Sequence, residues 1–178
     1  PIRSRQKCVL FLVMMITEGK FCSQCGCRLK TSVVENNYRN TCSICGTITF
    51  YAPKLAVAIV LAKGPLVLLI KRATEPGVGK WALPGGYVDR GELVEHAAKR
   101  EMLEETGIDI KITGLIGLFS EKNNPVILAV YSATSENQNV RTCAEVLDVN
   151  FFNPDDLPTL AFKRDLDILV DWNTEADL

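Results

Sequence analysis

The spacing of apolar positions changes several times along the chain, and each change predicts an element. Residues 55–62 (LAVAIVLA) are apolar on both alternating faces and rich in β-branched side chains. Lys63-Gly64-Pro65 is a turn signal, and 66–72 (LVLLIKR) runs apolar again. Two short apolar runs joined by a tight turn predict a hairpin buried within a sheet. A polar Gly/Pro loop follows over 73–80, then a short strand from Trp81 running into a loop at Gly85-Gly86. Apolar spacing becomes helical over about Arg90–Thr106. Asp89 stands as N-cap with Glu92 three residues on, and Gly107 is the stop. Strands are expected at 111–120, 126–133 and 149–152. A short helix should start at Pro154–Leu157, and an amphipathic last helix should cover Lys163–Trp172. Mixed strands and helices give an α/β or α+β class with a mixed sheet. No internal repeat or low-complexity tract interrupts it.

Composition places these elements in a soluble globular class. Of 178 residues, 47% are hydrophobic and 23% charged, enough to bury a core in one ordinary domain with a small appendage. The net charge of −1 gives no global attraction to nucleic acid or anionic membranes. No apolar run approaches the roughly 18 residues of a membrane span.

The N-terminus is basic at Arg3, Arg5 and Lys7, then apolar from Cys8 to Ile16. That is the outline of a secretory signal, yet no small-residue cleavage site follows. The preferred reading is an extension over 1–19, with a natural start near Met14 or Met15. A short helix packed on the domain and a true signal are the alternatives.

Cysteines define the next segment, 20–52. Cys22-x2-Cys25-Gly26 and Cys42-x2-Cys45-Gly46 are separated by sixteen residues, a spacing suited to a four-thiolate Zn²⁺ site. Each pair puts two thiolates in one tight turn, and the following Gly lets the chain continue through positive φ. Residues 31–40 (TSVVENNYRN) read as the hairpin between, with its tip at Asn36-Asn37. Disulfides and thioredoxin-like redox chemistry compete with zinc, but the paired turns and the lack of a credible signal disfavour them. Cys8, Cys27 and Cys143 read as ordinary thiols. A ribbon of this size cannot bury its own core, so metal should fold it. Lys20, Arg28, Lys30 and Arg39 make it locally basic without an interleaved aromatic platform, so a structural or dimer-forming role ranks above nucleic-acid contact.

The sharpest chemical signal is GGYVDRGELVEHAAKREMLEETGI, Gly85 to Ile108. With Leu93 at zero on a helical wheel, Leu93, Ala97, Val94 and Ala98 fall between 0° and about 140°. Glu104, Glu101 and Glu105 fall at about 20°, 80° and 120°, on the same face. Glu95, His96 and Lys99 take the opposite, polar side. Like charges at this spacing cost a few tenths of a kcal/mol each, and anions in a last turn about 0.3–1 kcal/mol. A bound divalent cation removes the conflict, and oxygen ligands suit Mg²⁺ or Mn²⁺. Gly85-Gly86 would let backbone approach a ligand closely. Arg100 could pair with Glu92 or clamp a phosphate.

These residues carry a resemblance. Gly86-x5-Glu92-x7-Arg100-Glu101-Met102-x-Glu104-Glu105-x-Gly107-Ile108 matches every fixed position of the Nudix box, G-x5-E-x7-R-E-U-x-E-E-x-G-U, where U is bulky and aliphatic. Trp81-x-Leu-Pro-Gly-Gly86 and the tail from Glu145 to Pro158 also resemble the family, which would cover about Lys54 to Trp172. The ribbon resembles that of zinc-ribbon Nudix proteins, which include NADH and FAD pyrophosphatases. The resemblance implies an α/β/α sandwich over 53–178 and hydrolysis of a nucleoside diphosphate linked to another group. It implies Mg²⁺ or Mn²⁺ on Glu101, Glu104, Glu105 and the Gly86 carbonyl, with Glu92 and Arg100 as a structural ion pair. Metals would neutralise the pyrophosphate oxygens and orient a water for in-line displacement. The general base is a box glutamate or a later-loop carboxylate, for which Glu145 is the candidate.

Substrate choice is less defined. The NADH-pyrophosphatase motif S-Q-P-W-P-F-P-x-S survives only in fragments around Phe119 to Val126, and Pro125 softly matches ADP-ribose pyrophosphatases. ADP-ribose or a related sugar nucleotide ranks first, FAD next and NADH third. A cap-removing RNA hydrolase and a non-catalytic Nudix-fold binding module are the alternatives. Arg72, Phe119 and Tyr131 are the candidate substrate contacts, with core packing competing for the two aromatics. A cytoplasmic location is expected, and a homodimer is an expectation from the family alone.

Overall fold

The computed structural model describes residues 19–136 and 140–176. The basic-apolar segment before residue 19 lies outside them. The chain divides into two compact units, Pro1–Pro53 and Lys54–Leu178.

The first unit is a three-stranded antiparallel sheet, β1 (Lys30–Val34), β2 (Asn37–Thr41) and β3 (Ile48–Thr49). Val34 pairs with Asn37, so the hairpin tip is Glu35-Asn36, one residue earlier than expected. Both tip residues have positive φ, 48° and 60°, as a two-residue type I′ turn requires. Little is buried here: Cys22, Cys42 and Asn40 are, while Phe21, Ile44 and Phe50 are exposed. The Arg39 guanidinium lies 5.2 Å over the Phe50 ring. Aromatic surface therefore does accompany the basic residues, contrary to the sequence reading.

The second unit is built on β4 (Lys54–Lys63), β5 (Leu66–Arg72), β6 (Trp81–Ala82), β7 (Lys111–Ser120), β8 (Val126–Thr134) and β9 (Val146–Phe152). The order is β6-β5-β4-β8-β7, with β9 also paired to β5. Only β4 and β8 are parallel, so the sheet is mixed. Alternation sorts β4 and β5 onto two faces. Val57, Ile59, Leu61, Leu68 and Ile70 join one core, and Ala56, Ala58, Val60, Val67 and Leu69 join the other. Helix α1 (Val94–Thr106) covers the first face with Ala97, Ala98 and Met102. Helix α2 (Lys163–Ala176) covers the second with Ile168 and Leu169. This is the expected α/β/α sandwich. No described helix is long and apolar enough to cross a membrane.

Two expected helical segments differ. α1 begins at Val94, with Leu93 as an N-cap lacking any side-chain cap. Gly91 has φ +87°, which turns the chain before the helix can start. Residues 154–157 form a turn rather than a helix.

The sheet has one opening that matters for function. β4 pairs with β5 only at Ala62–Val67 and Lys63–Leu66, beside the turn. Beyond that the strands splay, and the segment 84–88 fills the gap. Ile59 N–H donates to the Pro84 carbonyl (2.9 Å), Val57 N–H to that of Gly86 (2.8 Å), and Val88 N–H to that of Leu55 (3.0 Å). A β-carbon on Gly85, whose φ is +152°, would collide with the Val57 carbonyl. Only glycine allows the loop to lie this close to β4.

Candidate active site

The wedge of Gly85-Gly86 meets the last turns of α1 at the floor of a cleft of about 900 Å³. Glu101, Glu105, Gly86, Arg72 and Glu145 all line it. The wheel argument is graded in space. Glu105 is buried at 8% exposure, the Glu101 side chain is 15% exposed, and that of Glu104 is 60% exposed. Glu105 sits at the centre of the buried face with Ala98, Met102 and Thr106, while Glu104 lies at its rim. Gly107, φ +72°, ends the helix by donating its N–H to the Leu103 carbonyl (2.9 Å).

Glu105 has one hydrogen bond, from the Gly85 N–H at 2.8 Å. Burial pushes its carboxyl up to about 8, the nearby Glu101 and Glu145 charges add to the shift, and Gly85 and Arg72 oppose it. Burial raises Glu101 as well, against the pull of Arg100. A β-carbon on Gly86 would strike the Glu101 carboxylate, so this glycine keeps the carboxylate's place open. Two crowded carboxyl groups with raised affinity for protons make an oxygen-donor pocket that a hard divalent cation would relieve.

Arg100 holds this arrangement together. Its Nε donates to Glu92 Oε1 (2.9 Å) and one terminal nitrogen to Glu92 Oε2 (3.0 Å) and the Tyr87 carbonyl (3.0 Å). The other nitrogen reaches Glu101 Oε1 (2.8 Å) and Glu104 Oε2 (3.2 Å). All five guanidinium donors are engaged, which leaves none for a substrate phosphate. Glu92 also accepts the Asp89 N–H (3.0 Å), so the reach-back contact forms in the turn ahead of the helix. Arg100, with Asp89 N–H behind it, holds the Glu92 carboxyl down to about 2.

Glu145 is exposed, just ahead of β9. Its carbonyl accepts the Ala73 N–H (2.9 Å), which ties it to the end of β5 beside Arg72. Its field reaches both Glu101 and Glu105. Phe119 and Tyr131 are elsewhere. Phe119 packs against the core on the α2 face, and Tyr131 belongs to the core on the α1 face, its hydroxyl 3.5 Å from Glu95. Neither lines the cleft.

The cleft also contains residues that the sequence reading passed over: Phe162, Arg164 and Asp165. Asp165 is 2% exposed, accepts the Leu83 N–H (3.3 Å), and is pushed up to about 6 by burial. The signal was present, because Asp165 lies three and four residues before the buried Ile168 and Leu169. That is an acid on an apolar helix face, the same pattern as Glu105.

In the ribbon, the four sulfurs of Cys22, Cys25, Cys42 and Cys45 lie within 4.8 Å of one another. Cys22–Cys45 and Cys25–Cys42 approach to 3.6 and 3.4 Å. Tetrahedral ligation at about 2.3 Å sets sulfurs about 3.8 Å apart, so the cluster fits a four-thiolate metal site. The two turns repeat one hydrogen-bond pattern. Cys22 and Cys42 N–H donate to the carbonyls of Cys27 and Thr47, and Gly26 and Gly46 N–H return to Cys22 and Cys42. Bonds to Thr47 pull the Cys45 thiol down to about 6, favouring thiolate. Cys27 and Cys143 are outside the cluster.

The NUDIX domain model matches residues 52–172. The chain belongs to the Nudix hydrolase family. It is 36% identical to an ADP-ribose pyrophosphatase of Methanocaldococcus jannaschii over 117 residues, 64% of this chain and 69% of that one. It is 35% identical to the NAD-capped RNA hydrolase NudC of Haemophilus influenzae over 52% of this chain, but spans only 35% of that protein. A Nudix hydrolase from Nitrosomonas europaea superposes with a TM-score of 0.82 at 31% identity, covering 89% of this chain and 93% of that one. In this Nudix hydrolase the acidic helix α1 is accompanied by a four-cysteine cluster able to hold a metal ion.

Proposed function

We propose that the protein is a Mg²⁺- or Mn²⁺-dependent pyrophosphohydrolase that cleaves ADP-ribose or a related sugar nucleotide to monophosphate products. FAD is the next substrate in rank. The carrying observation is the convergence of Glu101, buried Glu105 and the Gly86 backbone at one end of the cleft, locked by a saturated Arg100. Glu101, Glu104, Glu105 and the Gly86 carbonyl would hold the cation. A cation there neutralises phosphate oxygens and favours in-line attack by water.

The chain's own groups set the rest. Gly85 fixes Glu105 through its N–H, and Arg100 orients Glu101 and Glu104. Arg72 places positive charge at the cleft wall. Glu145, exposed and within electrostatic reach of both glutamates, is the candidate proton acceptor, with a box glutamate as its competitor. The Methanocaldococcus relative's name favours ADP-ribose, and that of the Haemophilus relative keeps NAD-capped RNA as the second reading. In the ribbon, Cys22, Cys25, Cys42 and Cys45 would hold Zn²⁺ as a structural ion.

The test is turnover at pH 8 with Mg²⁺ and with Mn²⁺ across ADP-ribose, FAD, NADH and an NAD-capped RNA. Selective cleavage of ADP-ribose supports the proposal. Preference for the capped RNA replaces it with the second reading. No turnover of any substrate would refute the catalytic assignment.

A further inference from the structure

The cleft has a second end that the glutamates do not use. There the guanidinium carbons of Arg72 and Arg164 lie 5.3 and 5.1 Å from the Phe162 ring centroid. The ring thus holds two like charges around it, and an anion between them would relieve their repulsion. Asp165 lines the same cleft, but it is buried, accepts the Leu83 N–H and forms no ion pair with either. Among the described residues, neither arginine forms an ion pair. Arg72 donates only its Nε, to the Pro76 carbonyl at 2.8 Å. Arg164 Nε is buried with no hydrogen-bond partner at all.

The contrast with Arg100 is chemical. Arg100 has spent every donor on the protein, whereas Arg72 and Arg164, which both line the cleft, have no protein partner for their terminal nitrogens among the described residues. Arg72 lines the cleft with Glu101 and Glu105 as well as with Phe162 and Arg164. A diphosphate held at the glutamates shares one cleft with these two guanidinium groups. Guanidinium forks match phosphate oxygens in geometry as well as charge.

We propose that Arg72, Phe162 and Arg164 form an anion subsite that grips the phosphoryl group next to the scissile one. The subsite makes the cleft selective for diphosphate over monophosphate nucleotides. This deepens the function proposed above and rests on it for the position of the scissile bond. Phe162 acts as a positioning residue that keeps both guanidinium groups aimed into the cleft.

The test compares calorimetric binding of ADP and of AMP to the full chain with Mg²⁺ present, in the wild type, R72Q, R164Q and R164K. The wild type should bind ADP at least about tenfold more tightly than AMP, the scale of a charge-assisted hydrogen-bond pair. R164Q and R72Q should erase most of that ratio while leaving AMP affinity within about threefold. R164K should recover part of it, which a general loss of folding would not. A wild-type ratio near one, or an unchanged ratio in both glutamine variants, would overturn the subsite. Turnover of the substrate panel reports separately on the catalytic reading. A wild type that hydrolyses nothing yet keeps an arginine-dependent ADP preference sinks the reaction assignment and retains the subsite.

Discussion

The ribbon and the cleft both gather side chains able to hold a metal, but they stand in opposite relation to the fold. In the ribbon, two of the four clustered cysteines, Cys22 and Cys42, are nearly all that is buried, with Cys25, Cys45 and apolar side chains such as Phe21, Ile44 and Phe50 left exposed. There the ion would hold the chain together. In the catalytic unit, two cores of fully buried side chains flank the sheet, and the fold forces carboxylates into a place they would otherwise avoid. There the chain would hold the ion. A binding site that stabilises a fold and one that strains it are thus distinguishable from burial and charge alone.

The largest expected effect separates the two units. C22S should remove about one equivalent of zinc and abolish hydrogen-exchange protection across β1 and β2, because on this account metal would supply most of the ribbon's folding free energy. Protection of β4, β5 and β8 should persist. Equal loss in both units would erase the distinction.

Second comes the strain in the cleft. E105Q replaces a buried carboxyl held at about 8 with a neutral amide that still accepts the Gly85 N–H. It should raise the Tm of the Mg²⁺-free chain by about 2–4 °C, equivalent to roughly 1 kcal/mol. The same contrast appears with pH. Folding lifts Glu105 above its ordinary 4.5, so the folded chain keeps a proton that the unfolded chain releases. This contribution is full below about 4.5 and is lost as pH rises through about 8, and Asp165 adds a similar loss through about 6. Tm without added Mg²⁺ should therefore fall over that window. Added Mg²⁺ should restore more of it at pH 8 than at pH 6.

Third, R100K keeps the charge but cannot make five bonds. It should raise the Mg²⁺ concentration needed for half-maximal turnover about ten- to a hundredfold, as loss of an outer-shell partner does. The smallest effect returns to the ribbon. N36G should favour its type I′ turn by up to about 1 kcal/mol, read as a modest rise in metal affinity or exchange protection.

Much of this was legible, and the failures have physical causes. β7 was read with its observed ends, and the stop at Gly107 held because only a left-handed cap fits there. The start of α1 was misread. Asp89 and Glu92 do make the capping contact, but Gly91 puts it on a turn rather than a helix. The glutamate conflict was visible on a wheel, whereas the buried acid Asp165, in the first turn of α2 where the helix dipole favours an anion, was passed over inside an ordinary amphipathic helix. The parallel pairing of β4 with β8 joins residues about seventy apart and left no local trace. Arg100 was open between clamp and latch until its five partners were seen together.

The central claim is that the box glutamates form the catalytic metal site. It is tested most directly by measuring kcat for the preferred diphosphate-linked nucleotide, with saturating Mg²⁺, in the wild type and in E105Q. The account predicts a loss of at least about two orders of magnitude in a chain that is folded and no less stable. Near-normal turnover in E105Q would contradict it.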